Sequence, residues 1–337
     1  MNMRPTPSHS LSIVVPLYNE EDCVAPLVAR MHECLGNYQY PWELILVDDG
    51  SSDRTVDEIR KAAGIWGNHV HLLELARNFK QTAAMQAGID AATGDIIVTL
   101  DGDLQNDPID IPKMVDKLLS EDLDLVSGWR EKRQDGLWLR KIPSRIANRL
   151  IGRVTGVRLH DYGCSLKVFR AEVVKRIRLF GEMHRFIPAW LSTVTSPRRI
   201  AEMPVSHHPR TLGQSKYGIS RTFRVILDLL AVYFYMRFRD RPGHFFGGVG
   251  LMLSTAGSAV IAYLFILKLL GESIGTRPLL LVGFFSLLVG AQCILTGVLA
   301  ETLSRIYFAS DAGRSYTLRR STKQEHSQWH APQEENR

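Results

Sequence analysis

The chain has 337 residues, which is longer than one typical domain and leaves room for a large domain with an appendage or for two domains. Its formal net charge is +6, and Lys and Arg concentrate at positions 130–158, 210–241 and 305–323, beside apolar segments. Such clusters are typical of proteins that contact lipid headgroups. No zinc-finger spacing and no aromatic RNA-binding signature occurs, so we expect a membrane and no nucleic acid among the partners.

The N-terminal part of the chain alternates short apolar runs with amphipathic segments. Residues 1–10 are polar and lack an apolar core, so we expect them to be disordered and expect no cleavable secretory signal. The pattern then predicts strands at 11–17, 42–47, 70–75 and 96–100 and helices at 21–35, 54–63 and 81–92, with Asp53 as a candidate cap of the second helix. This alternation predicts an α/β domain with an open, mostly parallel, doubly wound sheet.

Polar residues follow the predicted strands at positions 18–20, 48–49, 77–78 and 101–103. In open α/β sheets, ligands bind outside the carboxyl ends of the strands, so these four groups are expected to line one crevice. Neither G-x-G-x-x-G after the first strand nor G-x-x-x-x-G-K-[ST] is present. The sequence therefore lacks the dinucleotide fingerprint and the P-loop.

Two uncharged segments near the C-terminus predict membrane spans. Residues 245–267 and 278–300 each reach about 34 Å as a helix, and a hydrocarbon core is about 30 Å thick. The short link at 268–277 predicts a hairpin. Seven arginines flank the pair, at 237, 239, 241, 305, 314, 319 and 320, against Lys268 and Arg277 in the link, so both ends are expected in the cytoplasm. The alternative interpretation is a pair of buried core helices.

Five regions follow from these patterns. We expect a disordered N-terminus at 1–10, a catalytic domain at 11–218, an interfacial amphipathic helix region at 219–242, a transmembrane hairpin at 243–304 and a mostly disordered cytoplasmic tail at 305–337. The interfacial region mixes Arg221 and Arg224 with aromatic and aliphatic residues, as helices in the headgroup layer do.

The sequence Asp101-Gly102-Asp103 directly follows an apolar strand. Two carboxylates separated by one small residue can converge on a hard cation, and Mg²⁺ or Mn²⁺ fits because these ions take oxygen ligands and complete their shell with substrate phosphates. A turn with two solvated carboxylates is the alternative. The additional carboxylates of Asp48 and Asp49 at the same predicted crevice favour a bound cation, because so many like charges repel each other without one.

Several motifs resemble a known family. The segments 13–20 (IVVPLYNE), 47–53 (VDDGSSD), 76–79 (ARNF) and 100–105 (LDGDLQ) are similar to family 2 glycosyltransferases of the GT-A fold. The segments 181–186 (GEMHRF) and 213–218 (GQSKYG) and the terminal spans resemble the polyprenyl-phosphate, or dolichyl-phosphate mannose synthase-like, branch. The resemblance covers about residues 11–310 and implies a Rossmann-like GT-A domain followed by interfacial helices and a two-helix hairpin. One departure is Gly102, where this branch often has alanine, and we expect little effect on metal binding.

The resemblance implies roles for individual residues. Nucleotide-sugar binding is expected at Pro16, Tyr18, Glu20, Asp48, Asp49, Asn78, Asp101, Gly102, Asp103 and Arg130. The metal is expected on Asp101, Asp103 and Gln105, and the acceptor phosphate on Arg145, Arg210 and Lys216. Asp101, Asp103, Asp161, Arg210 and Lys216 are the expected catalytic set.

Simpler interpretations of these residues stay open. Pro16 and Tyr18 could end a strand, Asp161 could cap a helix or turn, and Arg130 and Arg145 could extend from a membrane interface toward water. The expected reaction is an inverting displacement at the anomeric carbon by an acceptor phosphate that is already anionic near pH 7. No strong base is then required, so Asp161 is expected to orient the acceptor or to hold a cationic partner.

The expected function is transfer of a sugar from a UDP- or GDP-sugar to undecaprenyl or dolichyl phosphate, with Mg²⁺ or Mn²⁺, for an envelope glycan or for lipopolysaccharide modification. The protein is expected to form a homo-oligomer in the cytoplasmic membrane. One rival is a transferase of the same fold with another lipid or a polysaccharide as acceptor, although a processive synthase would carry Q-x-x-R-W and more spans. The other rival is a membrane-anchored scaffold that binds nucleotide sugars without catalysis.

Overall fold

The computed structural model describes residues 8–131, 151–153, 155–209, 232–238 and 241–309. The chain forms two compact units, Met1–Tyr233 and Phe234–Arg337. Arg145, Arg210 and Lys216 lie outside the described residues, as does most of the predicted interfacial region, of which 232–238 is helical.

Besides helical residues at 151–153 and 232–233, the first unit contains seven strands and six α-helices within the described ranges. In chain order they are β1 Leu11–Leu17, α1 Glu21–Leu35, β2 Trp42–Asp48, α2 Thr55–Trp66, β3 Val70–Glu74, α3 Gln81–Ala91, β4 Ile96–Thr99, α4 Ile111–Ser120, β5 Leu125–Trp129, β6 Lys167–Arg170, α5 Ala171–Val174, α6 Ile187–Leu191 and β7 Ile200–Pro204. Short 3₁₀ turns lie at Pro108–Asp110, Met183–Phe186 and Pro197–Arg199.

The predicted N-terminal elements form close to their expected bounds. Asp53 Oδ1 accepts a hydrogen bond from the backbone N–H of Thr55 at 3.0 Å, at the start of α2, which extends one turn further than predicted. Residues 8–10, at the end of the predicted disordered N-terminus, are among the described residues. Ser10 is anchored because its N–H and its hydroxyl both donate to Asp95 Oδ2, at 2.9 and 2.8 Å.

All strands of the first unit belong to one sheet with the order β3-β2-β1-β4-β6-β5-β7. β1 pairs in parallel with β2 and with β4, and β2 pairs in parallel with β3. The predicted mostly parallel sheet is confirmed. β6 is the exception, because it runs antiparallel to both β4 and β5, while β7 is parallel to β5. Because β6 runs in the opposite direction, the segment that precedes it lies at the edge of the sheet where β4 and β5 end.

Helices cover both faces of the sheet. On one face, the odd-numbered residues of β1, such as Ile13 and Val15, pack in a core with Leu27 of α1, Ile59 of α2 and Met114 of α4. On the other face α3 packs so closely that a Cβ on Gly88 would lie 2.2 Å from the Cγ1 atom of Val14. Because β1 is buried on both faces, it consists of a continuous apolar run rather than an alternating one.

The second unit contains two long helices, α7 Pro242–Leu269 and α8 Pro278–Ala309. Both are long and apolar enough to cross a bilayer, by length and composition. Only 17% and 11% of their most apolar windows are buried, which distinguishes them from the core helices of a soluble domain. α8 continues past position 304 into the predicted tail. The predicted pair of candidate membrane spans is therefore present.

The two long helices touch through glycines spaced seven residues apart. Gly243, Gly250 and Gly257 of α7 lie against Gly297, Gly290 and Gly283 of α8, respectively. A Cβ on Gly250 would lie 2.6 Å from the carbonyl oxygen of Gly290, and one on Gly257 would lie 2.8 Å from that of Gly283. The backbones thus approach as closely as in small-residue helix pairs of membrane proteins.

Candidate active site

The carboxyl ends of β1, β2, β3 and β4 meet at one edge of the sheet, because these strands are parallel and in register. Leu17 at the end of β1 is opposite Asp48 at the end of β2, and Val14 is opposite Thr99 at the end of β4. The loops that follow are joined to the strands by backbone hydrogen bonds, from Asp49 N–H to Leu17 O at 2.8 Å and from Leu75 N–H to Asp48 O at 2.9 Å. The predicted convergence of polar loops is thus present.

Asn19 joins the loop after β1 to the loop after β2. It adopts a left-handed backbone conformation with φ of 51°. Its N–H donates to Ser51 Oγ at 2.9 Å, and its Oδ1 accepts from the N–H of Ser52 at 2.8 Å. Tyr18, on one side of Asn19, is 38% exposed, and the N–H of Glu20, on the other, donates to Thr55 Oγ1 at 3.0 Å. Asn19 therefore determines where Tyr18 and Glu20 lie at the edge.

Asp48 and Asp49 are adjacent and buried, but their surroundings differ. Asp48 Oδ2 accepts from the N–H groups of Gly50 and Ser51 at 3.1 and 3.0 Å, while its Oδ1 is buried without a hydrogen-bond partner among the described residues. Asp49 Oδ1 accepts from the N–H of Phe79 at 2.7 Å, and burial raises the pKa of Asp49. Asp49 therefore links the loop after β2 to the loop after β3, whereas Asp48 offers a buried acceptor to a ligand.

The loop after β3 contains Asn78, which is partly buried. Its carbonyl oxygen accepts from Arg77 Nη1 at 3.5 Å, and the Arg77 guanidinium lies 4.2 Å from the centre of the Phe79 ring. Pro16 is also partly buried and lies opposite Val47 within the sheet. Both residues are therefore close to the edge that carries the carboxylates.

Asp101 and Asp103 follow β4 in a tight loop. Asp101 Oδ1 accepts from Gln81 Nε2, at the first residue of α3, at 2.7 Å. Asp103 Oδ1 accepts from the N–H of Gln105 at 3.2 Å, and Leu104 between them has a φ of 60°. Burial, and next the charge of Asp103, raise the pKa of Asp101 to about 6. The two carboxylates are thus close enough to repel each other.

The oxygen-only donors of Asp101 and Asp103 fit a hard divalent cation, which would relieve this repulsion. A carboxylate oxygen that accepts one hydrogen bond retains a second lone pair, so the bond from Gln81 leaves Asp101 able to bind an ion. No cluster of three or more His, Cys, Asp or Glu side chains forms a metal cage in the described part of the chain. An ion held by a few protein oxygens commonly completes its shell with water and substrate phosphates, as Mg²⁺ does.

Gly102 is packed against the end of β1. A Cβ at this position would lie 2.2 Å from Leu17 Cδ2. Alanine, the residue that the related branch often has here, therefore requires Leu17 to change its rotamer. The small middle residue of this motif is set by packing behind the carboxylates.

Arg130 and Asp161 form a buried ion pair beside this loop. Arg130 Nε and Nη2 donate to Asp161 Oδ2 and Oδ1 at 2.7 and 3.1 Å, and each side chain is 13% exposed. Asp161 Oδ1 also accepts from the N–H of Gly163 at 3.0 Å. Arg130 thus points into the protein rather than extending toward an interface. Asp161 therefore pairs with the Arg130 guanidinium, and holding a cationic partner is one of the two roles expected for it.

Lys167 adds a second buried basic side chain. It opens β6, is 2% exposed, and its Nζ donates to the carbonyl oxygen of Cys164. Burial lowers its pKa, while the charges of Asp161 and Asp101 raise it. The site thus combines carboxylates with two inward-facing basic side chains.

Gln81, Ser165 and Lys167 contribute to this site although no sequence motif indicated them, and Asn19, which lies in the predicted polar group at 18–20, was given no role of its own. Ser165 Oγ accepts from the N–H of Asp101 at 3.2 Å, across 64 positions of sequence. No local periodicity encodes such a contact, and only the antiparallel return of β6 produces it. Whether Arg145, Arg210 and Lys216 approach the site lies outside the described residues.

Comparison with known proteins assigns this arrangement to a family. The model of glycosyl transferase family 2 matches residues 12–178. The dodecaprenyl-phosphate galacturonate synthase of Rhizobium johnstonii is 57% identical over 316 residues, which is 94% of each chain. The chain belongs to glycosyl transferase family 2. It lies in the polyprenyl-phosphate branch, since the undecaprenyl-phosphate 4-deoxy-4-formamido-L-arabinose transferase of Proteus mirabilis is also 35% identical, over 89% of this chain and 90% of that one.

Solved structures confirm the GT-A fold of this glycosyltransferase. Glucosyl-3-phosphoglycerate synthase from Mycobacterium tuberculosis, in complex with Mn²⁺, UDP and glucosyl-3-phosphoglycerate, superposes with a TM-score of 0.54 over 68% of this chain and 80% of that one. The two sequences are 17% identical, so the likeness concerns the fold. The glycosyltransferase predicted from the sequence motifs is confirmed, together with its branch.

Proposed function

We propose that this glycosyltransferase transfers galacturonate from a nucleoside diphosphate sugar to a polyprenyl phosphate. The synthase that is 57% identical is named for galacturonate and dodecaprenyl phosphate, whereas the relatives named for a formamido-arabinose are 34–36% identical. Family membership supports glycosyl transfer, and the difference in identity favours the uronic acid over the amino sugar.

One observation supports a nucleoside diphosphate sugar as the donor. The unpartnered Asp48 Oδ1 and the repelling pair Asp101 and Asp103 lie at the same edge of the sheet. A buried acceptor suits an N–H or O–H group of a nucleoside, and paired carboxylates suit a cation that carries a diphosphate. A nucleoside diphosphate sugar presents both features at once. Tyr18 and Glu20 are proposed to contact the nucleoside as well.

The reaction is a displacement at the anomeric carbon. An anionic oxygen of the acceptor phosphate forms the new bond to this carbon, and the bond to the diphosphate oxygen breaks, so that the nucleoside diphosphate leaves with the electron pair and the configuration inverts. A phosphate monoester is mostly dianionic at pH 7, since its second pKa is about 6, so no proton has to be removed. The chain's residues therefore act mainly by positioning and by neutralising charge.

Asp101 and Asp103, with Gln105 next to them, are proposed to hold Mg²⁺ or Mn²⁺. A bound ion would supply Lewis-acid stabilisation of the charge on the departing diphosphate. Arg130 is proposed to bind phosphate oxygens, for which a guanidinium is well suited, while Asp161 keeps the guanidinium in place. Asp161 is then a positioning residue and the transfer needs no general base.

The two long helices are proposed to anchor the enzyme in the cytoplasmic membrane, where its acceptor lies. Flanking arginines on both sides of the pair favour cytoplasmic ends and a cytoplasmic active site. Labelling of single cysteines placed in the link at 270–277 and near position 240 by a membrane-impermeant maleimide tests this orientation. Labelling of position 240 from the periplasmic side of intact cells would contradict it.

A transfer assay tests the function. The full-length protein in detergent is incubated with radiolabelled UDP-galacturonate, UDP-glucose, UDP-arabinose or GDP-mannose, a polyprenyl phosphate, and Mg²⁺ or Mn²⁺ with and without EDTA. We expect label in the lipid fraction from the galacturonate donor, and its loss with EDTA or in Asp103→Ala. Transfer from another donor alone would refute the sugar assignment. Binding of donors without any turnover would favour a non-catalytic scaffold and overturn the proposal.

A further inference from the structure

Ser165 lies in the loop that leads from Asp161 into β6, and its hydroxyl group meets the acidic loop at both of its ends. Ser165 Oγ accepts from the backbone N–H of Asp101 at 3.2 Å and from Asn106 Nδ2 at 2.8 Å. One side-chain oxygen thus joins residues five positions apart.

The acidic loop needs such an external contact to keep its shape. Leu104 holds a left-handed conformation with φ of 60°, which is unfavourable for a residue with a Cβ. Within the loop, the N–H of Gln105 donates to Asp103 Oδ1 at 3.2 Å. Asn106 is 4% exposed and also accepts from Cys164 Sγ at 3.6 Å, so its side chain is held by the segment at 164–165. The backbone at this end of the loop is held by the segment at 206–208, where the N–H of His208 donates to the carbonyl oxygen of Gln105 at 2.7 Å.

Ser165 is itself fixed by the sheet. Its carbonyl oxygen accepts from Thr99 Oγ1 at 3.0 Å, and two residues later Lys167 pairs with Thr99 across β4 and β6. The position of the Ser165 hydroxyl is therefore determined by the sheet and not by the acidic loop. The same short segment begins with Asp161, which holds Arg130.

We propose that Ser165 is a positioning residue for glycosyl transfer. It holds the acidic loop so that Asp101 and Asp103 meet the donor diphosphate at a fixed distance from the pair formed by Arg130 and Asp161. This role rests on the proposed function. Ser165 touches neither substrate, and it acts through Asp101 and Asn106.

Removal of the hydroxyl leaves two buried donors, the Asp101 N–H and the Asn106 amide, without their acceptor. Leaving a buried donor without its acceptor costs on the order of a tenfold change in an equilibrium, and a displacement of about 1 Å at a reaction site costs about 10²-fold in rate. We therefore expect Ser165→Ala to weaken Mn²⁺ binding on the order of tenfold and to lower kcat by one to two orders of magnitude. The KM for the polyprenyl phosphate should stay within about twofold, because the residues expected to bind the acceptor phosphate, Arg145, Arg210 and Lys216, are unchanged.

The experiment uses the full-length protein in detergent and four variants. Ser165→Ala deletes the hydroxyl, while Ser165→Thr and Ser165→Val have similar volumes and differ mainly in the presence of the hydroxyl. Ser127→Ala is the matched control, since Ser127 is a fully buried serine of β5 whose Oγ has no hydrogen-bond partner among the described residues. Mn²⁺ binding is followed by electron paramagnetic resonance with and without UDP, next to kcat, the KM of each substrate, and Tm.

The expected result is weaker Mn²⁺ binding and lower kcat in the alanine and valine variants, recovery in the threonine variant, and wild-type behaviour of Ser127→Ala. Equal behaviour of threonine and valine, or a change in Tm alone, overturns the proposal. So does folding of the threonine variant when both hydroxyl-free variants fail to fold, because Ser165 is then a structural residue. A wild type that transfers sugar without binding Mn²⁺ refutes the metal assignment. In that case the kcat values of the Ser165 variants alone test whether Ser165 is a positioning residue. A wild type that neither transfers sugar nor binds Mn²⁺ refutes the proposed function itself.

Discussion

The ion pair of Arg130 and Asp161 offers a test of whether Asp161 is a base or holds the arginine. The two hydrogen bonds, at 2.7 and 3.1 Å, and the 13% exposure of each side chain leave little room for screening by water. Removing one partner of such a pair leaves an uncompensated buried charge at a cost of about 3–5 kcal/mol. At about 1.4 kcal/mol per factor of ten, a cost of this size within the reaction site corresponds to a loss of roughly 10²- to 4 × 10³-fold in kcat/KM.

The measurement is a double-mutant cycle with Arg130→Met, Asp161→Asn and the combination, using initial rates of transfer to polyprenyl phosphate. Each single variant should lose activity by the amount above. If Asp161 only positions Arg130, the double variant should lose no more than Arg130→Met, because there is no guanidinium left to position. The interaction energy is then about as large as the loss from Asp161→Asn alone.

If the fold-losses of the two single variants multiply in the double variant, this reasoning is contradicted, because Asp161 then acts independently of Arg130. Loss of the acidic limb of the pH–rate profile in Asp161→Asn would also contradict it, because such a loss indicates a general base. Arg60→Ala is the control. Arg60 also forms an ion pair, with Glu74 at 2.9 Å, but these side chains are 60% and 52% exposed, so activity should not change.

Three further predictions concern the acidic loop, the hairpin and the sheet. Because the pKa of Asp101 is raised to about 6 from its ordinary 3.8, this group stabilises the metal-free protein at low pH and loses that effect as the pH rises through this window. Asp101→Asn should therefore raise Tm at pH 7 in EDTA while abolishing transfer, and a lower Tm would contradict this. Gly290→Ala places a Cβ 2.3 Å from Ser254 Oγ and 2.8 Å from Gly250 O, so the Tm in detergent should fall and the free energy of unfolding should decrease by about 1–3 kcal/mol. Gly248→Ala is the control and should not change the Tm, because no atom lies within 4 Å of the added Cβ. Arg199→Met should cost about 3–5 kcal/mol, since Arg199 donates to both oxygens of the buried Asp124 at 2.7 Å. The pKa of Asp124 is lowered because hydrogen bonds from Arg199 and Thr195 outweigh the effect of burial. The wild type should therefore lose this stability as the pH falls below 3.8. A series of thermal-shift measurements at decreasing pH that shows no such loss would refute the account.

Strand and helix positions in the first hundred residues were accessible from the sequence because each depends on local patterning. β1 is a continuous apolar run since it is buried on both faces, and the charge-free lengths of α7 and α8 set candidate spans without reference to any other element. The convergence of Asp48 with Asp101 was also predictable, because parallel strands in an alternating pattern end at the same edge.

Tertiary structure alone determined the partners of these carboxylates. Asp48 and Asp49 look equivalent in sequence, yet one offers an unpartnered oxygen and the other joins two loops. Ser165 and Lys167 reach Asp101 because β6 runs antiparallel between β4 and β5, and strand order in a sheet depends on the whole chain rather than on any window of it. The register that aligns glycines of α7 with glycines of α8 likewise follows from the length of the link and from helix contact. Local periodicity encodes which side of an element is buried, whereas the identity of the neighbour is decided only when distant segments pack together.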